Sequence, residues 1–501
     1  MEKFILALDQ GTSSSRAMLY DDAGKTISMA QEAIGMSHPK DGWVEQKPDE
    51  IWDSVLSTGR EVIGNSGIDP KLIKGIGITN QRETTLVWNK QTGECVYNAI
   101  VWQDRRTAAT CSEMSSAILE GKSLSEQIAE KTGLVIDPYF SNTKLHWILS
   151  EIVASDERLN IEDLLFGTVD TYLIWKLSGG HSHFTDVTNA SRTQLLNIST
   201  LDWDEDLLKY FDIPRFLLPK VLDSSAQYGY AEEKCFGAAI PITGVAGDQQ
   251  AALVGQCCFD PGMSKVTLGT GCFIMTNTGA EKIQPKDGLL TTIAYRINGE
   301  VSYASEGSIF VAGQAVKWLR DQLGIIESVE DTEKAFIETK GFAGGVSVVP
   351  AFTGLGAPHW DPDARGLIAG LTLDTSVDQI VVATLQSIVF QIANLVGLML
   401  KVGPVDQLRV DGGMAANDPF CQFLADILDQ NIDRPIDTET TARGAALLAG
   451  IGAGIWKDLN EVRTTWQAER VFSPEMEQSL RTSLVEEFSL SVERARLRLK
   501  N

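Results

Sequence analysis

Residues 9–16, Asp-Gln-Gly-Thr-Ser-Ser-Ser-Arg, set a carboxylate, a glycine, four hydroxyls and a guanidinium between two apolar runs at 4–8 and 17–20. That assortment suits a phosphate. Gly11 lets backbone approach closely, Thr12, Ser13, Ser14 and Ser15 offer N–H and O–H donors, and Arg16 neutralises phosphoryl charge. Asp9 suits Mg²⁺, usually through water. The spacing is neither GxxxxGK[ST] nor GxGxxG, so an ordinary polar hairpin competes with the phosphate reading.

The second half repeats the layout. Lys265-Val-Thr-Leu268 leads into Gly269-Thr270-Gly271 and then Cys272-Phe-Ile-Met275. Alone this would be a tight turn. Paired with the first, it predicts an internal duplication in which two Gly-Thr hairpins clasp one polyphosphate from opposite sides. Leu408-Arg-Val-Asp-Gly-Gly-Met-Ala-Ala-Asn417 adds a strand end, a glycine turn and a helix start, where free N–H groups at Gly412 and Gly413 admit phosphate or adenosine. Asn417 reads as the helix cap.

Three further segments carry polar chemistry of another kind. In Ile78-Thr-Asn-Gln-Arg-Glu-Thr84, Arg82 sets a donor fork beside the acceptor-only carboxylate of Glu83, a pair suited to hydroxyls that both donate and accept. Trp102 could cover a carbon skeleton, and Tyr139 add a hydroxyl and an apolar wall. The competing reading is a surface ion pair and two core aromatics. In Gly244-Val-Ala-Gly-Asp-Gln-Gln250, Asp248 could take the proton from an attacking hydroxyl, or simply cap the helix that follows.

These groups need a scaffold. Strand-type runs at 73–78 and 408–410 alternate with helical patterns at 141–152 and 376–400, which predicts α/β layers around mixed sheets. Phe259-Asp-Pro-Gly262 is a turn signal, so the division is expected between 1–254 and 255–501. A chain of 501 residues is long enough for two cores. With 43 Lys plus Arg against 67 Asp plus Glu, a net charge of −24 argues against an extended nucleic-acid surface. Seven cysteines without a CxxC pair read as reduced thiols of a cytoplasmic protein, and the five histidines form no metal-ligand pattern. The N-terminus lacks a secretion-signal pattern, and apolar stretches such as 445–456 are too short and Gly-interrupted for membrane insertion.

Taken in order, ALDQGTSSSRA, GITNQRET, NAIVWQDRRTA, GLVIDPYFSNTK, FGTVDTYLIWKL, TNASRT, GVAGDQQAAL, LGTGCFIMTNTG, VVPAFTGLGAPHWDP and RVDGGMAAN resemble the glycerol-phosphorylating members of the FGGY carbohydrate kinase family through nearly the whole chain. The resemblance implies two actin-like, ribonuclease-H-like domains closing on an interdomain ATP cleft. It implies transfer of the ATP γ-phosphate to glycerol, giving sn-glycerol 3-phosphate and ADP, in a homodimer or homotetramer. Glycerol contacts then fall on Arg82, Glu83, Trp102, Tyr139, Asp248, Gln249 and Phe273. Nucleotide contacts fall on Thr12, Ser13, Ser14, Arg16, Thr270, Gly313, Lys317, Gly413 and Asn417. Asp9 and Asp248 become the Mg²⁺-side carboxylates, with Asp248 also the general base. The rival readings are a related kinase acting on a pentulose or sugar acid, and a noncatalytic actin-like nucleotide switch.

Overall fold

The computed structural model describes residues 2–497 apart from 120, 285 and 362. Thirteen strands form one mixed sheet: β1 (Phe4–Gln10), β2 (Ser14–Asp21), β3 (Thr26–Ala33), β4 (Ile73–Asn80), β5 (Ser225–Ala231), β6 (Ile240–Gly247), β7 (Met263–Leu268), β8 (Cys272–Gly279), β9 (Leu290–Ile297), β10 (Glu300–Ile309), β11 (Gln407–Asp411), β12 (Ile432–Pro435) and β13 (Ala468–Phe472). Their spatial order is β13-β12-β11-β7-β8-β10-β9-β5-β6-β4-β1-β2-β3. The helices that matter for the site are α1 (Pro48–Ser66), α2 (Ser141–Trp147), α3 (Asp248–Gly255), α4 (Gly313–Asp321), α5 (Val377–Met399), α6 (Asp418–Leu428) and α7 (Thr440–Gly452).

The expected duplication is built into the sheet. The run β3-β2-β1-β4-β6 pairs antiparallel, antiparallel, parallel, parallel. The run β10-β8-β7-β11-β12 repeats that sequence of pairings. In each block the first hairpin strand is central and buried on both faces, which is why Phe4-Ile-Leu-Ala-Leu8 is continuously apolar rather than alternating. The blocks meet edge to edge where β5 and β9 share the single pair Ser225↔Ile297.

Helices α3 and α7 seal the joint. They approach so closely that a Cβ on Gly444 would lie 1.8 Å from the carbonyl oxygen of Ala251. Small residues are therefore a steric requirement there, at Gly444 just ahead of the apolar, Gly-interrupted 445–456 stretch.

Elsewhere the helical expectation at 141–152 appears as α2, continued by a wider turn at Ile148–Val153. The expectation at 376–400 appears as α5, entered through a capping box between Ser376 and Gln379. That helix is long and apolar enough to cross a membrane, more so than the 445–456 stretch singled out from sequence. It is a core helix: 72% of its most apolar window is buried.

Candidate active site

The residues between β4 and Trp102 set the first part of the site. Regular strand backbone would send Arg82 and Glu83 to opposite faces. Glu83 instead adopts φ 59°, a left-handed conformation unusual for its type, and both side chains end up buried. Its carbonyl oxygen is held there by the hydroxyls of Ser141 (2.9 Å) and Thr85 (3.0 Å).

This corrects the surface ion-pair alternative. Arg82 and Glu83 stand 3.9 Å apart, and each has a better partner from a distant segment. The two terminal nitrogens of Arg82 donate to the two carboxylate oxygens of Glu306 on β10, at 2.9 and 2.8 Å. Arg192 Nε donates to Glu83 Oε1 at 2.6 Å, and its terminal nitrogens lie 3.1 and 3.3 Å from Glu306. Burial pushes the Glu83 carboxyl up, against the pull of Arg82 and Arg192.

Arg82 Nε is left facing Asp248 Oδ1 at 3.1 Å. Asp248 is not the cap of α3 but its first helical residue, with Gly247 at the cap position. Its Oδ1 accepts from the Gln249 amide at 2.8 Å and its Oδ2 from Gln249 Nε2 at 3.1 Å. Gln249 Oε1 in turn accepts from the buried Lys265 on β7, which also reaches Thr267 Oγ1 at 2.9 Å and the Phe273 carbonyl at 3.4 Å.

Three rings stand beside this cluster. Trp102 meets Tyr139 edge-on at 5.5 Å and Phe273 at 6.4 Å. Tyr139 is aimed by local chemistry: its amide donates to Asp137 Oδ1 (2.8 Å) and its carbonyl accepts from the buried Lys144 (2.7 Å). Its hydroxyl lies 3.5 Å from Arg82 Nη2.

Trp102 Nε1 donates to Thr12 Oγ1 at 2.9 Å, which ties the aromatic wall to the first hairpin. That turn closes through Gly11 N to Ser14 O at 2.9 Å; Ser13 O accepts from Ile34 N, and the Ser14 hydroxyl from Gln31. Asp9 and Arg16 face one another across the ladder, and Arg16 is paired with Glu439 before α7. Burial pushes the Asp9 carboxyl up to about 6, with Arg16 opposing and Asp248 adding to the rise.

The second hairpin is held from behind by α4. Thr270 O accepts from the amides of Ala312 and Gln314 (3.0 and 3.1 Å), and Gly269 O from Gly313 N (2.9 Å). Gly412, at φ 85°, packs so close that a Cβ would fall 2.6 Å from Leu268 O, and Gly413 next to it faces open space. Asn417 caps α6 through Phe420 N, as the sequence predicts, and its amide donates to Thr332 at 3.2 Å. A cleft of about 1360 Å³ runs from Trp102, Asp137 and Tyr139 past Thr270 to Gln314 and Lys317.

The predicted residues thus fall into two groups joined by Trp102 and Phe273. Sequence reasoning missed three side chains of the first group: Arg192, Lys265 and Glu306. Each stands alone in an apolar or hydroxyl-rich segment, so the only signal was a charge where a strand or helix should be apolar.

A cleft lined by Thr270 of the second Gly-Thr hairpin and by Trp102 and Tyr139, with the Arg82–Asp248 pair next to Tyr139, is the working region of a two-domain α/β kinase. The chain belongs to the FGGY family of carbohydrate kinases, whose N-terminal domain matches residues 4–255 and whose C-terminal domain matches 264–453. It is 50% identical over 499 residues to a glycerol kinase of Marinomonas sp. (strain MWYL1), covering 99% of this chain and 100% of that protein. Glycerol kinase 2 of Thermotoga maritima is 51% identical over 495 residues, covering 98% and 99%. The solved structure of Plasmodium falciparum glycerol kinase with ADP aligns at a TM-score of 0.89 and 35% identity, over 99% of each chain. The xylulose kinase of Lactobacillus acidophilus, at 24% identity, covers 98% of this chain and 97% of its own with a TM-score of 0.86, a likeness of fold alone.

Proposed function

We propose that this kinase transfers the γ-phosphate of ATP to a terminal hydroxyl of glycerol, giving sn-glycerol 3-phosphate and ADP. The observation that carries the reading is the meeting of Arg82 Nε and Asp248, 3.1 Å apart, beside the Trp102–Tyr139 pair. Polar groups on one side and rings on the other match a short polyol, which has hydroxyls to grip and a small carbon chain to cover. The names of the half-identical relatives point the same way.

In this reading Arg82, Glu83, Tyr139, Asp248 and Gln249 hold glycerol hydroxyls while Trp102 and Phe273 cover the carbons. Asp248 accepts the proton as the hydroxyl oxygen bonds to phosphorus and the bond to ADP breaks. Thr12, Ser13, Ser14, Arg16 and Thr270 cradle the phosphates, with Gly313, Lys317, Gly413 and Asn417 toward the nucleoside. Closure of the cleft would exclude water and restrict wasteful hydrolysis.

Asp9 and Asp248 would hold Mg²⁺. Among the described residues there is no cluster of three or more metal-ligating side chains, and Mg²⁺ characteristically takes one or two carboxylates with phosphates and water. Burial raises the Asp9 carboxyl and the Asp248 charge adds to the rise, a cost that a bound cation would offset. The ion would neutralise charge on the phosphates.

We also place the domain division at 254/255, in the last turn of α3 and ahead of β7, where the second block begins, and expect a homodimer or homotetramer. A cytoplasmic setting is supported by seven free cysteines. A coupled ADP-release assay with glycerol, xylulose and gluconate tests the substrate. Glycerol should turn over fastest, and faster turnover of either larger compound would sink the assignment.

A further inference from the structure

We propose that Glu306 is a positioning residue for the acceptor, reaching from the C-terminal half to aim the Arg82 guanidinium. The inference rests on the acceptor reading above. A guanidinium is planar, so fixing both terminal nitrogens fixes the direction of Nε. Glu306 fixes both, at 2.9 and 2.8 Å, and Nε then points at Asp248. Glu306 is itself clamped from the other side by Arg192, at 3.1 and 3.3 Å.

Charge balance gives the second argument. Arg82, Arg192, Glu83 and Glu306 are all buried, two of each sign. Burial alone would neutralise Glu306, but Arg192 and Arg82 hold its carboxyl down at about 2, so it stays ionised. Without that charge Arg82 would turn its terminal nitrogens to the nearest remaining carboxylate, Asp248. The aim of Nε would be lost with it. Because Glu306 lies on β10 of the C-terminal block and Arg82 follows β4 of the other, acceptor geometry depends on how the two blocks sit together.

The test uses the full chain and the variants E306Q and E306D, with glycerol, propane-1,2-diol and propane-1,3-diol as acceptors. Wild-type glycerol turnover comes first; its absence would sink the acceptor reading rather than the positioning role. In E306Q the KM for glycerol should rise about tenfold or more, the KM for ATP should stay within about twofold, and the loss should shrink for whichever diol lacks the hydroxyl that Arg82 grips. E306D, which preserves the buried charge, should show the same split in smaller measure and serves if E306Q does not fold. An unchanged glycerol KM, an equal rise in both KM values, or equal losses for all three acceptors would overturn the proposal.

Discussion

The two ends of the cleft are built from different materials. At the end proposed for the acceptor the polar groups are side chains, three of them held by another buried side chain: Arg82 by Glu306, Glu83 by Arg192, Gln249 by Lys265. At the end proposed for the nucleotide they are largely backbone, set by hairpin turns and by glycines, of which Gly271, Gly313 and Gly412 leave no space for a Cβ. A change at the first end alters a charge balance in a medium of low dielectric, so its cost is electrostatic and spreads to stability. A change at the second end is steric and local.

The largest effect should come from removing the proposed base. Asp248→Asn keeps the shape of the side chain but cannot accept the proton, so turnover should fall about 10²–10⁴-fold. ATP affinity, measured by calorimetry, should stay within about twofold. Residual glycerol-dependent turnover near the wild-type rate would assign the proton to another group.

Next in size is Arg82→Leu, which leaves Glu306 buried with Arg192 alone. Unfolding in denaturant should show a loss of about 3–5 kcal/mol, the scale of breaking a buried pair from one side. A variant that lost glycerol turnover at unchanged stability would show that the acceptor end is less charge-balanced than its geometry implies.

This contrast also explains what sequence could and could not reveal. The hairpins were legible because their chemistry is contiguous: Asp9 to Arg16 and Leu268 to Cys272 each declare a turn, and their repetition declares the duplication. The acceptor end was half legible. Arg82 and Glu83 are adjacent and invite pairing with one another, yet the fold gives them separate partners, at positions 192 and 306. Nothing local marks Glu306 except that a lone carboxylate sits among small and apolar residues of a strand buried along most of its length. Such a charge is costly unless paired, and the partner is visible only once the halves are brought together.

Gly412→Ala addresses the steric end. The position has φ 85°, and a Cβ would meet Leu268 O at 2.6 Å, so the glycine turn must shift away from the second hairpin. The KM for ATP should rise about tenfold while that for glycerol changes little. A rise confined to glycerol would break the division between the two ends.

The smallest effect belongs to Lys317, the one charged nucleotide-side candidate on α4. It is exposed on the helix that buttresses the second hairpin, and it lines the cleft. A solvated ammonium contributes little per contact and is screened by salt, in contrast to the buried guanidinium at the other end. Lys317→Ala should therefore raise the KM for ATP only about twofold to fivefold at low ionic strength. The difference should fade at about 0.5 M salt, where the screening length is only a few ångströms. Melting temperature should be unaffected, since no buried group loses a partner. A loss of a hundredfold or more, persisting in high salt, would mean that Lys317 is desolvated against the phosphates when nucleotide binds. The nucleotide end would then depend on a buried charge after all, as the acceptor end does.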